Sequence, residues 1–167
     1  IYLICDMPGL AGNIGFLTYI GDSEFTDIHV IDYTIGIRDC KWSNHYTRCH
    51  VWGGPVREML DDSINFEVNG GGAIFRDCYC DTGKIGFLIN GGGLLSGCRY
   101  FSNPVFGLED IVCIRHTSGS LRVESCTYVK TAKSVKLYEG CGDVRWAGNE
   151  AIGFTAQEIP WDDCGHL

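Results

Sequence analysis

The sequence lacks several features that would place it in common functional classes. No apolar run approaches the roughly 18 residues that a membrane-spanning helix needs, so we expect no membrane insertion. Basic residues are few, with 13 Lys+Arg against 21 Asp+Glu and a formal net charge of −8. Because nucleic-acid binders must neutralise phosphates, this balance argues against a nucleic-acid partner. No segment shows the 3.6-residue apolar spacing of a sizeable amphipathic helix.

Glycine and apolar residues are plentiful instead. The 167 residues include 23 Gly, which is too many for a helix bundle because glycine is costly in helix interiors. The hydrophobic fraction of 45% and aromatic fraction of 12% exclude a disordered chain. The length fits one domain over residues 1–167. The chain opens directly into strand-like sequence at Ile1–Cys5, so we expect it to be a fragment of a longer protein.

Ten cysteines could form five disulfides in a small secreted domain. No Cys-x-x-Cys pair occurs, however, which disfavours a zinc site. Five of the cysteines lie within or at the ends of apolar, strand-like segments: Cys40, Cys78, Cys98, Cys113 and Cys126. We therefore favour buried free thiols over disulfides or metal ligands, and production in a reducing cytosol. No cofactor and no bound metal are predicted.

An internal repeat is the strongest signal in the sequence. Residues 66–74 match residues 87–95 at an offset of 21, and both segments contain Asn-Gly-Gly-Gly. With one residue dropped after the glycines, Cys78 aligns with Cys98. Each unit has a short strand, a glycine-rich corner, a second strand and a polar connection. We expect glycine at the corners because sharp bends need positive φ or a missing Cβ.

The repeat continues in the C-terminal part of the chain. At an offset of 23, Ile114 aligns with Leu137 and Leu121 aligns with Val144. The step from Ile89 to Ile114 is longer, 25 residues, which an insertion before Ile114 explains. A helix-free repeat of this length predicts an all-β solenoid of parallel strands with about seven coils. A Greek-key β-sandwich is the rival fold, but it does not explain a constant offset.

Several short motifs carry a resemblance to a known family. They are Ile-Arg-Asp-Cys at 37–40, Phe-Arg-Asp-Cys-Tyr-Cys-Asp-Thr at 75–82 and Val-Glu-Ser-Cys-Thr-Tyr-Val at 123–129, separated by Asn-Gly-Gly-Gly corners. Together with segments 44–55 and 159–162, they resemble the right-handed, single-stranded parallel β-helix of the pectate-lyase-like superfamily. More narrowly, they resemble the shaft of bacteriophage tailspikes and tail fibres.

This resemblance implies a function, although it supplies no catalytic signature. It implies a homotrimeric spike in the virion tail, assembled in the host cytoplasm beside other virion tail proteins. Such a spike binds bacterial surface polysaccharide (capsule, exopolysaccharide or O-antigen) and often depolymerises it. A glycoside hydrolase is favoured over a lyase. A non-catalytic structural shaft and a bacterial polysaccharide lyase, which should show a calcium-binding carboxylate cluster, are the alternatives.

Catalytic candidates are the acidic residues that interrupt the repeat. Glycoside hydrolysis needs two carboxyl groups about 5–5.5 Å or 6.5–9.5 Å apart, and the repeat alignment stacks no two carboxylates; it places Asp110, for example, on Lys133. The remaining candidates are Glu58 and Asp61 in one loop and Glu109 and Asp110 in another. The alternative is that these acids lie in solvated turns.

Candidate glycan-binding residues come from segment 46–52. As one strand, it would place Tyr46, Arg48, His50 and Trp52 on one face, where aromatic rings stack on sugars and polar groups bind hydroxyls. The alternative is that the aromatic residues pack under a loop or a second subunit.

His116 is a further candidate for ligand binding. The 23-residue offset places it over Glu139, where a histidine–carboxylate stack could tune proton transfer. The alternative is a surface ion pair.

Overall fold

The computed structural model describes residues 1–7, 10–54, 62–102, 110–132 and 134–161. These residues form 19 short strands and a 3-10 turn at Ala156–Glu158, with no α-helix among them. All strand pairings between them are parallel, and the strands form one seven-stranded and two six-stranded sheets. The described chain is therefore a parallel β-helix (β-solenoid) of about six turns, which confirms the predicted fold class.

Each coil contributes one strand to each of three sheets. Sheet A comprises β1 Tyr2–Ile4, β4 His29–Ile31, β7 His50–Trp52, β10 Tyr79–Asp81, β13 Arg99–Ser102, β16 Thr127–Lys130 and β19 Glu150–Ile152. Sheet B comprises β2 Ile14–Thr18, β5 Ile35–Asp39, β8 Ile64–Val68, β11 Ile85–Ile89, β14 Ile111–His116 and β17 Val135–Gly140. Sheet C comprises β3 Glu24–Thr26, β6 His45–Thr47, β9 Ala73–Arg76, β12 Gly93–Ser96, β15 Ser120–Glu124 and β18 Asp143–Ala147.

The core lies between the three sheets and is built from stacked side chains. Phe66 lies on Phe87 with ring centroids 4.9 Å apart and ring planes 8° from parallel. Tyr46 lies between Phe25 and Phe75, at centroid distances of 5.2 and 4.9 Å. Such ring pairs contribute about 0.5–1.5 kcal/mol each beyond the burial of their area. Like residues on successive coils thus stabilise the register of the solenoid.

The strand register confirms the first repeat and corrects the second. Phe66 pairs with Phe87, as the 21-residue offset predicts. Ile114, in contrast, pairs with Phe87 and Tyr138, so the predicted pairings with Ile89 and Leu137 are wrong.

The length of one corner explains the register change after β14. Three residues separate β14 from β15, but only two separate β17 from β18. The shorter corner shifts the offset from 24 in sheet B to 23 in sheet C, where Leu121 pairs with Val144 as predicted.

Four cysteines form a column at the corner between sheets C and A. Cys49, Cys78, Cys98 and Cys126 are at most 1% exposed, and each immediately precedes a strand of sheet A. Backbone hydrogen bonds link neighbouring members of this column. The N–H group of the residue that follows one cysteine donates to the carbonyl oxygen of the cysteine on the preceding coil, as from Arg99 to Cys78 at 2.8 Å. We call these four residues the thiol column.

The remaining described cysteines differ in burial, which tests the prediction that cysteines lie in the core. Cys80 and Cys113 are also buried, whereas Cys40 is only partly buried. The nine described cysteines are all free thiols. Buried placement is therefore confirmed for four of the five cysteines that the sequence assigned to strand-like segments.

The corner before the thiol column does not depend on glycine. Asp27, Arg48, Asp77 and Ser125 adopt left-handed φ values between 51° and 55° there. The expectation that glycine makes the sharp corners is therefore only partly correct. At the first Asn-Gly-Gly-Gly corner, Gly72 has a φ of 74°, while Gly70 is required because its backbone meets the backbone of Lys41.

Candidate functional site

The outer face of sheet A is the most ligand-like surface of the described chain. Because side chains alternate along a strand, each strand of sheet A places two residues outward, one on either side of an inward-facing residue. The first outer column contains Tyr2, His29, His50, Tyr79, Arg99, Thr127 and Glu150. The second contains Ile4, Ile31, Trp52, Asp81, Phe101, Val129 and Ile152. We call this surface the sheet A face.

Aromatic rings follow one another across four coils of this face. Tyr2 stacks on His29 at 4.5 Å between ring centroids with planes 11° apart. His29 and His50 lie 6.0 Å apart, and His50 contacts Tyr79 at 4.4 Å. Trp52 stacks on His50 at 4.0 Å. The four coils therefore present a ring-lined track whose repeat is the strand spacing of about 4.8 Å.

A shallow cavity continues the track toward the C-terminal coils. It measures about 370 Å³ and is lined by Tyr79, Arg99, Tyr100, Phe101, Thr127, Val129 and Glu150. A second cavity of about 270 Å³ adjoins it, lined by Asp77, Cys78, Tyr79, Gly97 and Arg99. Arg99 and Tyr79 therefore border both cavities. One wall is aromatic or aliphatic and the other carries hydroxyl, carboxylate and guanidinium groups, as in a small-molecule site.

Electrostatic effects on this face favour the uncharged forms of two of its rings, His29 and Tyr79. Partial burial lowers the pKa of His29, and the nearby His50 lowers it further. Burial raises the pKa of Tyr79, and Asp81 raises it further, so the Tyr79 hydroxyl remains protonated. Asp81 also lies 3.8 Å from His50 Nε2. His29 and Tyr79 therefore present neutral aromatic surfaces, and the Asp81 carboxylate lies beside them.

The outer columns of the other two sheets mix charged and aliphatic residues, and the described strands place only one ring there, that of His45 on sheet C. On sheet B, Arg38 pairs with Glu67 at 2.8 Å and Arg115 pairs with Glu139 at 2.6 Å, each across neighbouring coils. On sheet C, Arg122 pairs with Glu124 at 2.7 Å. Ion pairs of this kind are typical of solvated faces. The contrast singles out sheet A as the face suited to a ligand or a partner.

The predicted face of segment 46–52 is wrong in its geometry. The segment forms two strands, β6 and β7, separated by a corner at Arg48, whose φ is 51°. His50 and Trp52 lie on the sheet A face, as candidate glycan-binding residues should. Tyr46, by contrast, is fully buried in sheet C, and Arg48 lies at the corner, paired with Asp27 at 2.9 Å. A bend between the two halves prevents the four side chains from sharing one surface.

His116 does not stack on Glu139, contrary to the prediction. It is the last residue of β14, is fully buried, and pairs in register with Gly140. Its Nε2 atom lies 3.0 Å from the Gly91 carbonyl oxygen, and its ring lies against Gly142. Arg115 is the residue that meets Glu139, because the true offset in sheet B is one residue longer than predicted. His116 is therefore a core residue that no surface glycan can contact.

The structure describes one of the four catalytic candidates. Asp110 is exposed with a φ of 55°, and it exchanges two 3.2 Å hydrogen bonds with Ser134 on the next coil. Lys133, on which the repeat alignment places Asp110, lies outside the described residues. Glu58, Asp61 and Glu109 lie outside the described residues. Among the paired strand positions of the described chain, no carboxylate stands beside another on a neighbouring coil. The described strands thus hold no stacked pair suited to glycoside hydrolysis.

Sequence reasoning missed most of the sheet A face. Its members His29, Tyr79, Arg99 and Phe101 each lie one or three residues after a corner that ends in isoleucine or cysteine. The short motif "corner residue, Ile or Cys, outward residue, buried residue, outward residue" recurs at residues 27–31, 48–52, 77–81, 97–101 and 125–129. Aligning all four members of the thiol column, rather than Cys78 and Cys98 alone, would have found it.

Within the described ranges, no three His, Cys, Asp or Glu side chains converge to hold a metal ion. No helix in the same ranges is long and apolar enough to span a bilayer. Comparison of the chain with family models, with curated proteins and with solved structures finds no match.

Proposed function

We propose that this chain is a glycan-binding β-helical segment of a bacteriophage tailspike or tail fibre, and that sheet A is its binding face. The observation that carries the proposal is the row of rings from Tyr2 to Tyr79, joined by Trp52 and continued by a polar cavity. Aromatic side chains offer flat apolar surfaces with polar edges, which suit the C–H faces and hydroxyls of sugars.

The shape of the face favours an extended polymer. Four rings on successive parallel strands cover roughly 14 Å, and the cavity lengthens the track by about three further strand spacings, as far as Glu150. Five of the strands that carry these residues, β4, β7, β10, β13 and β16, are hydrogen-bonded to neighbours on both sides, and only β1 and β19 form the edges of the sheet. A face of this rigidity binds without the entropic cost of ordering loops. A bacterial surface polysaccharide is the ligand class that fits such a track.

Trp52 gives a direct test of the binding face. We expect Trp52→Ala to weaken binding of the purified host capsule or O-antigen to the trimeric parent protein by tenfold or more, because a central aromatic anchor is lost. Trp42→Ala is the matched control, since Trp42 is 61% exposed but lies at the corner between β5 and β6. Equal effects of the two substitutions would contradict the assignment of the face. Absence of any glycan binding would favour the structural shaft instead.

Depolymerisation by the parent protein is a further part of the proposal. Its candidate residues are Glu58, Asp61, Glu109 and Asp110, which the sequence predicts to lie in loops, because the described strands hold no stacked carboxylate pair. New reducing ends would indicate hydrolysis, and 4,5-unsaturated products would indicate elimination. We expect Glu58→Gln, Asp61→Asn or Glu109→Gln to abolish product formation while leaving glycan binding intact. Full activity in all three variants would remove these residues from the mechanism.

A further inference from the structure

Arg99 is the one lysine or arginine in the two outer columns of the sheet A face. Its side chain borders both cavities, between the Tyr79 ring on one coil and Thr127 on the next. Phe101 occupies the same strand two residues on and supplies the apolar wall. A guanidinium in this position faces the space that a ligand would enter.

Arg99 also differs from most of the described arginines in having no carboxylate partner. Four of the others form ion pairs at 2.6–2.9 Å: Arg38 with Glu67, Arg48 with Asp27, Arg115 with Glu139 and Arg122 with Glu124. Arg99 makes no such pair, nor a side-chain hydrogen bond, with any described residue. The donors of its planar fork are therefore available to a ligand.

The rest of the cavity suits a sugar ring that carries an acid group. Glu150 stands in the same column, two strands and roughly 10 Å from Arg99, with Thr127 between them. This separation leaves room for a pyranose ring that lies on Phe101 and Val129 while its hydroxyls meet Thr127 and Glu150. Asp77 and Asp81 lie on the adjoining coil, so the negative charge around Arg99 disfavours a polyanion of high charge density.

We infer that Arg99, with Tyr79 and Phe101, forms a subsite for a carboxylate-bearing sugar residue, such as a uronic acid, within the polysaccharide. This inference rests on the proposed glycan-binding function and names the substrate class. The guanidinium binds the carboxylate through two parallel N–H···O bonds. A phosphate monoester can accept the same two bonds, but its higher negative charge is disfavoured beside Asp77 and Asp81. The ring of the same sugar lies on Phe101.

An array of bacterial glycans tests the subsite on the trimeric parent protein. The array holds uronate-containing glycans, the same glycans after chemical reduction of the carboxyl to a primary alcohol, and phosphorylated glycans. We expect the wild type to bind uronate glycans at least tenfold more tightly than their reduced forms. We expect Arg99→Gln to remove this preference and Arg99→Lys to retain part of it. Arg145→Gln is the control, because Arg145 is exposed and has no ion-pair partner among the described residues, but lies on sheet C.

The possible outcomes separate this inference from the proposed function. Binding that is equal for uronate and reduced glycans, or unchanged in Arg99→Gln, overturns the subsite and leaves glycan binding standing. Preference for phosphorylated glycans alone also overturns it. Binding of no glycan overturns both. Thermal unfolding of each variant, which we expect to match the wild type because Arg99 is exposed, shows that any loss arises at the site.

Discussion

Two adjacent glycines, Gly70 and Gly71, should respond in opposite ways to the same substitution. A Cβ atom added at Gly70 would lie 1.8 Å from the Lys41 carbonyl oxygen and 2.3 Å from the Lys41 carbonyl carbon. Both are backbone atoms of the neighbouring coil, so no side chain can rotate away. A Cβ added at Gly71 meets nothing within 4 Å, and its φ lies outside the left-handed region.

The magnitude follows from these distances. Alanine at position 70 requires two stacked backbones to separate by roughly 1 Å, and overpacking of this kind costs about 1–3 kcal/mol or more. Alanine at position 71 leaves the fold unstrained and restricts the unfolded chain, so it should change stability by no more than about 0.5–1 kcal/mol, in the stabilising direction. The free energy of unfolding in urea, measured for Gly70→Ala and Gly71→Ala beside the wild type, gives both values.

The contrast between the two variants is the decisive result. If Gly71→Ala is as destabilising as Gly70→Ala, the corner is not packed as described and the reasoning is refuted. Gly72→Ala adds a third case, because Gly72 has a φ of 74° and a Cβ there would make only ordinary van der Waals contacts, 3.7 and 3.8 Å from Ser43. It should fall between the other two, since its cost of about 1–2 kcal/mol is conformational rather than steric.

Other features of the molecule give further tests. Phe87→Ala removes a fully buried ring stacked on Phe66, so it should lower the free energy of unfolding by about 3–5 kcal/mol, whereas the conservative Phe87→Leu should cost much less. A thiol reagent should label exposed Cys141 rapidly in the native protein and should reach the six buried cysteines only in denaturant; fast native labelling of Cys78 would contradict the thiol column. Bonding to Lys130, and then to Thr155, lowers the pKa of Glu158 from an ordinary value of 4.5 to about 2, so its contribution to stability is complete above pH 4.5 and is lost as the pH falls toward 2. Glu158→Gln should therefore flatten the fall in Tm over this range, and an unchanged profile would exclude the ion pair as its source.

The repeat made the fold predictable because stacking is periodic. Phe66 and Phe87 are both phenylalanine and occupy equivalent positions on successive coils, so the repeat in the sequence indicates which residues are in contact. Buried cysteines were predictable for the same reason, since small apolar side chains recur at one column. Errors arose where the coil length changed. The corner after β17 is one residue shorter than the corner after β14, and a strand alignment without the corner length misplaces His116 by one position.

The sheet A face was harder to predict because its boundaries are set by backbone conformation. Arg48 adopts left-handed φ in a segment without glycine or proline, and local propensity places a straight strand there. That bend moves Tyr46 into the core while leaving His50 and Trp52 outside. Only the comparison of several coils, which place Asp, Arg, Gly or Ser at the bend, shows that the corner tolerates side chains and recurs.

The thiol column has a consequence for how the coils can be cross-linked. Neighbouring strands place Cα atoms about 4.8 Å apart, inside the 4.4–6.8 Å range that a disulfide spans, whereas the next coil but one lies far outside it. Oxidation of a partly opened solenoid should therefore join only Cys49 to Cys78, Cys78 to Cys98, or Cys98 to Cys126. Peptide mapping would identify the linked cysteine pairs and so the order in which the coils stack. A Cys49–Cys98 link would show that a coil had slipped past its neighbour.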